Sequence, residues 1–266
     1  MLDKRGSKHG TSHFIFSSLS NADNLSQGDI WGLLLVYSYI GAVVLIASKS
    51  AYLKRSKMHR KFIHIMIGNI VFFWWVFDNA WAMALLAAAP FIFFCYLLSK
   101  EGSRTDEPRS KVEKELKGSI LAEASINGHK LGLVFYAISW TLLAFVFFDN
   151  LMIASIGIVC MAYGDGMGGL IGKRFGKRKI HGGKTLEGSL SVFIFAMIAC
   201  AVVFAFYSYL SMNGIYGEHQ VEAMWILPIS AGIAAYVAVV ELYTPGEYDN
   251  LVIPITTVLI LAAAGI

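Results

Sequence analysis

The chain has 266 residues, of which 56% are hydrophobic, 14% aromatic and only 15% charged, with a mean hydropathy of +0.60. Soluble domains carry about a quarter of their residues as Asp, Glu, Lys and Arg. The low charged fraction, with apolar residues in long unbroken runs, excludes a disordered chain, a disulfide scaffold and a nucleic-acid-binding domain. The class that remains is all-α, a polytopic integral membrane protein.

Residues 1–28 form a polar, Ser-rich N-terminal tail broken only by Phe14-Ile15-Phe16. It has no signal-peptide apolar core, so the first span is expected to insert the chain. Residues 29–266 read as a single transmembrane domain. A span needs about 20 mostly apolar residues. Eight transmembrane helices are preferred within a range of seven to nine: Ile30–Ala47, Phe62–Phe77, Ala80–Leu98, Leu131–Phe148, Leu151–Ile171, Leu190–Leu210, Ala223–Val240 and Leu251–Ile266. Residues 99–130 form the one long polar connection, a cytoplasmic loop with alternating charge around Lys111–Lys117. Cys95, Cys160 and Cys200 lie in apolar runs far apart, without metal-ligand or disulfide spacing.

Orientation follows from the basic residues. Of 22 Lys and Arg, 19 fall in the connections after spans one, three and five, and none after spans two, four and six. Those three basic connections are therefore expected on the cytoplasmic side. The net charge of +4 thus reflects topology more than a generally basic surface.

The segment Gly164-Asp165-Gly166-Met167-Gly168-Gly169-Leu170-Ile171-Gly172-Lys173-Arg174-Phe175-Gly176 carries the most chemistry. Gly164, Gly168, Gly172 and Gly176 recur every four residues and form one smooth helical stripe, which suits close helix packing. Packing does not account for Asp165, an ionisable residue at a span end. Gly164-x-Gly166-x-x-Gly169 matches the dinucleotide-binding pattern in letters only, because it ends a membrane span rather than joining a strand to a helix. Gly183-Lys184-Thr185 lacks the upstream glycine of a P-loop, a position held here by Arg178. A carboxylate beside bare backbone, followed by Lys173, Arg174 and Lys184, offers oxygen ligands for a hard cation and cationic donors for phosphates. The same basic residues also serve as topology determinants, and Lys177–Lys179 are read as that alone.

Two other segments reach the same membrane face. Arg60-Lys61-Phe62-Ile63-His64 opens the second span, with Arg60, His64 and Gly68 on one helix face. Glu241-Leu242-Tyr243-Thr244-Pro245-Gly246-Glu247-Tyr248-Asp249-Asn250 links the last two spans and has acids but no Lys or Arg. An all-acidic inner loop suits metal coordination, although Asp-Asn at Asp78-Asn79 and Asp149-Asn150 reads as helix capping on the outer side. Glu187 either adds a further carboxylate or favours a helix N-terminus. Cations, carboxylates and bare backbone converging at the inner interface suggest an enzyme that handles a cytosolic nucleotide and a lipid.

These residues resemble a known family. The Gly164–Gly176 segment with Gly183-Lys184-Thr185-Leu186-Glu187-Gly188-Ser189 is similar to the signature of the CTP-dependent isoprenoid-alcohol kinases, which act on dolichol, polyprenol or phytol. Arg60-Lys61-x-x-His64 resembles the family's upstream element, and Glu241 with Asp249-Asn250-x-x-x-Pro254 its C-terminal one, in the family's order. Many members carry a second acid four residues after the Asp165 position, where this chain has Gly169. That departure shifts the metal site toward Glu241 and Asp249.

The resemblance implies transfer of the γ-phosphate of CTP to a lipid hydroxyl at a cytoplasmic-face active site. It assigns Asp165 and Asp249, with Glu187 as a further candidate, to Mg²⁺ or Mn²⁺. Lys173, Arg174, Lys184, Thr185, Arg60, Lys61 and the glycines Gly164, Gly168 and Gly172 would hold the nucleotide phosphates. Either His64 or Glu241 would orient or deprotonate the alcohol. The bilayer and a membrane lipid alcohol are the implied partners, in a plasma, endoplasmic-reticulum or plastid membrane according to source. CTP-dependent diacylglycerol kinase and phosphatidate cytidylyltransferase are the neighbouring enzyme readings. The cytidylyltransferase's Gly- and Asp-rich C-terminal signature is missing. A transporter with an Asp165–His64 ion path is the non-enzyme alternative, and its sparse span-internal charge counts against it.

Overall fold

A computed structural model describes residues 25–55, 58–98, 131–217 and 221–266; the long polar connection at 99–130 and most of the tail at 1–28 lie outside the described residues. The chain in these parts is helical, with one isolated antiparallel bridge between Lys179 and Thr185. The helices are α1 (Gln27–Lys49), α2 (His59–Ile67, continued as a 3-10 helix over Gly68–Val76), α3 (a π-helical segment Ala82–Ala88 running into Ala89–Leu98) and α4 (Gly132–Val146). They continue with α5 (Leu151–Val159, a π-helical segment Cys160–Asp165, then Gly166–Phe175), α6 (Leu186–Met212), α7 (Ala223–Tyr243) and α8 (Asp249–Ala263).

Four apolar runs, Gln27–Lys49, Phe148–Phe175, Leu186–Met212 and Ala223–Tyr243, are long enough to cross a bilayer. Four shorter apolar helices, Lys61–Val76, Ala82–Tyr96, Gly132–Val146 and Asp249–Ala263, complete a polytopic helical bundle. The eight runs coincide with the eight expected spans, with one informative difference. The fifth was expected to stop at Ile171, yet the helix runs on to Phe175. Asp165 therefore sits ten residues before the helix end, sunk about 15 Å along the axis. The glycine stripe permits the extension by packing onto α6: a Cβ on Gly168 would run into Val192, and one on Gly172 would lie 3.2 Å from the Thr185 hydroxyl.

Helix α5 is the hub. Of its most apolar window 83% is buried inside the protein, against 22% for α7. Leu151, Ile153, Ile156 and Ile158 are among the largest fully buried side chains. All nine residues from Leu151 to Val159 are buried, so this helix carries no polar face and must be surrounded.

At the end of the bundle away from Asp165, the helices are tied by hydrogen bonds from uncharged donors. Ser26 caps α1 in a reciprocal capping box with Asp29. The wholly buried Asp29 carboxylate also accepts from the Asp78 and Asn79 backbone N–H groups at 3.1 and 3.0 Å and from Asn79 Nδ2 at 2.6 Å. Asp78-Asn79, expected to cap a helix, thus clamps the α2–α3 turn to α1. Asn150 does cap, accepting from the Ile153 N–H at 3.4 Å.

Candidate active site

Three separated segments meet at one end of the bundle, and a local device delivers each. The first is the π-helical segment Cys160–Asp165. A π turn inserts extra residues relative to α-helix, turning the following side chain by about 100° per added residue. Tyr163 fixes this segment by donating to Asn69 Oδ1 at 2.6 Å; Asn69 Nδ2 donates to Tyr39 Oη at 3.1 Å, and Tyr39 donates to the Met66 carbonyl at 2.7 Å. Asp165, at the end of the segment, faces α2. Its Oδ2 accepts from Lys61 Nζ at 2.8 Å and lies 3.4 Å from His64 Nε2, and its backbone carbonyl accepts from Lys61 Nζ at 3.2 Å. His64 is buried and packs edge-on against Tyr136, ring centroids 5.1 Å apart.

The second device is a tight turn. Gly182 and Gly183 both have positive φ, +55° and +82°, the values of a type I′ turn. The Lys184 N–H donates to the His181 carbonyl at 2.8 Å, and the Ile180 N–H to the Lys184 carbonyl at 2.9 Å. The turn folds Lys184 back over α7, where its Nζ lies 2.8 Å from Glu241 Oε1. The same ammonium donates to the backbone carbonyls of Glu241 and Thr244. Gly183-Lys184-Thr185 is thus the end of a hairpin turn and no P-loop.

The third device is a proline. Pro254 has no N–H, so the Asn250 carbonyl four residues earlier loses its helical donor. Ser139 Oγ of α4 supplies one at 2.8 Å, while Asn250 Nδ2 donates to the Gly132 carbonyl at 2.9 Å. These two bonds pin the start of α8 to α4 and hold Asp249 in place.

Asp165, Glu241 and Asp249 are brought together, with one carboxylate oxygen of each within 4.8 Å of the others. Three acids so close, largely buried, repel unless compensated. Lys61 and Lys184 neutralise two of the charges. Oxygen donors in this number and burial fit a hard divalent cation such as Mg²⁺.

The cluster borders a cavity of about 460 Å³. Of the residues singled out in the sequence, Lys61, His64, Asp165, Gly168, Gly172, Lys173, Lys184, Thr185, Glu241 and Asp249 line it. Others fall elsewhere. Glu187 does not join the acid trio; its Oε2 accepts from the Lys177 and Arg178 backbone N–H groups at 3.0 and 3.3 Å, bracing the hairpin. Arg174 stands over the Phe175 ring at 5.4 Å and is exposed, outside the cavity wall. Gly164 packs between Val192 and Val237, at the helix seam. The Arg60 side chain lies outside the described residues. Thr185 caps α6, accepting from the Gly188 N–H at 3.2 Å, so its hydroxyl is already engaged.

Sequence reasoning missed several lining residues. Lys179 faces the cavity although it reads as a topology determinant; its bridge to Thr185 across the Gly182-Gly183 turn is the signal that places it. Cys95 and the stretch Leu131–Val134 also line it, and nothing in their residue types marks them. Gly169 explains its own departure from the family pattern. A Cβ there would lie 2.9 Å from Lys61 Cε and Nζ, so the space of the second acid is filled by a lysine.

Known proteins similar to this chain identify its family. A phytol kinase of Synechocystis is 30% identical over 236 residues, covering 85% of this chain and 88% of its own length. Phytol kinase 1 of Arabidopsis thaliana, a chloroplast protein, is 26% identical over 230 residues, covering 82% and 71% respectively. A CTP-dependent diacylglycerol kinase of Schizosaccharomyces pombe is 25% identical over 154 residues, covering 57% and 68%. No protein-family model matches the chain, and no solved structure matches it significantly. The ordered motifs, the helical membrane architecture and the near full-length similarity to the Synechocystis phytol kinase together show that the chain is a membrane lipid kinase of the CTP-dependent isoprenoid-alcohol kinase family.

Proposed function

We propose that the chain transfers the γ-phosphate of CTP to the hydroxyl of an isoprenoid alcohol of the phytol or polyprenol type, at the cytoplasmic face of its membrane. The observation that carries this reading is the buried trio Asp165, Glu241 and Asp249 with Lys61 and Lys184 at 2.8 Å from two of its members. The alcohol oxygen bonds to the γ-phosphorus, the bond from that phosphorus to the β-bridging oxygen breaks, and CDP leaves. The hydroxyl proton passes to His64 or Glu241, both of which border the cavity.

Phosphoryl transfer asks mainly for positioning and charge stabilisation. Asp165, Glu241 and Asp249 are the residues that would hold Mg²⁺, which supplies neutralisation of the phosphate oxygens when bound. Lys184, Lys173 and Lys179 lie on the wall with Gly168 and Gly172. Bare backbone there lets phosphate approach closely, and the ammonium groups supply point charges. Lys61 and Lys184 have a double use: each compensates a carboxylate in the ligand-free site and is free to turn to phosphate once a cation takes over that compensation.

Product analysis tests the donor chemistry. With γ-labelled CTP the label should appear in a lipid monophosphate and CDP should accumulate. Pyrophosphate release with a CDP-lipid would instead establish the cytidylyltransferase reading. A diacylglycerol arm is included because one relative carries that activity in its name.

A further inference from the structure

The cavity has two chemically different walls. One is the glycine and lysine wall of α5 and the hairpin. The other is apolar: Cys95 in the last turn of α3, with Leu131, Leu133 and Val134 at the start of α4. The side chains of this second wall carry no charge and lie outside the acid trio, so the phosphate chemistry proposed above leaves them unused. It is nevertheless bound tightly to the acid cluster, because Asn250, next to Asp249, donates to the Gly132 carbonyl and accepts from Ser139.

The helices forming this wall come together deeper in the bundle. Phe91 of α3 and Trp140 of α4 stack with centroids 5.6 Å apart and planes inclined by 26°. Phe91 precedes Cys95 by four residues and Trp140 follows Leu133 by seven, so each pair lies along one helix face. The stack therefore stands about 6 to 10 Å below Cys95 and Leu133, where it joins the two helices. The apolar side of the cavity is thus a cleft between these two helices, bordering the acid cluster at its head.

We propose that this α3–α4 cleft is the acceptor site, taking the single hydrocarbon chain of an isoprenoid alcohol along Cys95, Leu131, Leu133 and Val134 and presenting its hydroxyl at Asp249. The proposal rests on the kinase reading for the hydroxyl's fate, and on the wall itself for the chain's place. Four apolar side chains on two neighbouring helices offer surface for one hydrocarbon chain, and a two-chain lipid needs about twice that surface. The chain comes from a bilayer or micelle that is already apolar, so selection for this site rests on close packing and on the hydroxyl's contacts at the acid cluster rather than on removal of apolar surface from water. Nucleotide and acceptor then approach the acid cluster from opposite walls, as in-line transfer demands.

The test uses the full-length chain in detergent with a diazirine-bearing geranylgeraniol. Labelling should map to Cys95 or to the Leu131–Val134 peptide, fall on addition of unlabelled phytol or geranylgeraniol, and persist with excess CTP. Diacylglycerol should compete far less. Leu133→Trp should cut the competable label and raise the acceptor KM about tenfold or more, the equivalent of about 1.4 kcal/mol. The nucleotide KM should stay within about twofold. Should Leu133→Trp fail to fold, Val134→Ala serves instead, with a shift in preference toward bulkier chains. Competable label on other helices, an unchanged acceptor KM in Leu133→Trp, or equal competition by diacylglycerol would overturn the cleft. Competable label here with no phosphate transfer to any alcohol would uphold the cleft and overturn the kinase reading.

Discussion

Lys61 and Lys184 each stand 2.8 Å from a largely buried carboxylate, and their removal has two separable effects. Removing one partner of such a pair leaves an uncompensated charge, a loss of about 3–5 kcal/mol when the pair is fully buried and less here, where the lysine side chains keep 17% and 23% of their surface. Lys184→Met should therefore lower thermal stability in the apo protein and recover part of it when Mg²⁺ is added, read by a melting curve with and without the ion. Its kcat should drop by about 10²–10³, the usual loss when one preorganised charge-stabilising donor is removed. Glu187→Gln is the control: its carboxylate accepts from the Lys177 and Arg178 N–H groups outside the acid trio, so kcat should stay within about threefold, because an amide oxygen still accepts from both. A large loss of kcat in Glu187→Gln would return it to the metal site. Asp165 was legible in the sequence because a carboxylate inside a span is costly. The pairing of Lys61 with Asp165 was not, because it spans 104 residues and depends on the absence of a side chain at Gly169.

At the scale of elements, the site depends on the hairpin turn and on the start of α8. The Gly182-Gly183 turn holds both residues at positive φ, where a β-branched side chain is strained. Gly183→Val should cost about 1–3 kcal/mol locally and loosen Lys184 from Glu241. Its kinetic signature is a raised nucleotide KM with global melting little changed, because the turn is exposed and a Cβ there meets nothing. Ser139→Ala behaves differently. It leaves the Asn250 carbonyl, already deprived of its helical donor by Pro254, without Ser139 in a buried setting. The cost is about 1–3 kcal/mol of stability, readable as a lowered melting temperature, with activity falling as Asp249 loses its support. The spacing Asp249-Asn250-x-x-x-Pro254 shows in the sequence; the need for Ser139, 111 residues away, does not.

At the scale of the molecule, the eight spans were legible because uninterrupted apolar runs need only counting, and lipid-facing helices have no polar face to confuse the count. The fifth ran past its expected end because glycines, poor in helix propensity, are held helical by packing on α6. That depth places Asp165 within reach of α2, α7 and α8 together, an arrangement that pattern along one helix cannot reveal. The acid trio assembles from three helices, so the bundle must be intact for the trio to form. Chelation of divalent cations should abolish turnover and leave the helical content unchanged by circular dichroism, since the helices are held by apolar packing rather than by the cluster.

The most direct test is transfer of label from γ-labelled CTP, with Mg²⁺, to phytol or geranylgeraniol by the purified full-length chain, run beside Asp165→Asn. The account predicts a labelled isoprenyl monophosphate from the natural chain and a loss of at least about a hundredfold from Asp165→Asn, with unchanged helical content. Absence of label in every alcohol with the natural chain, or undiminished transfer by Asp165→Asn, would contradict it.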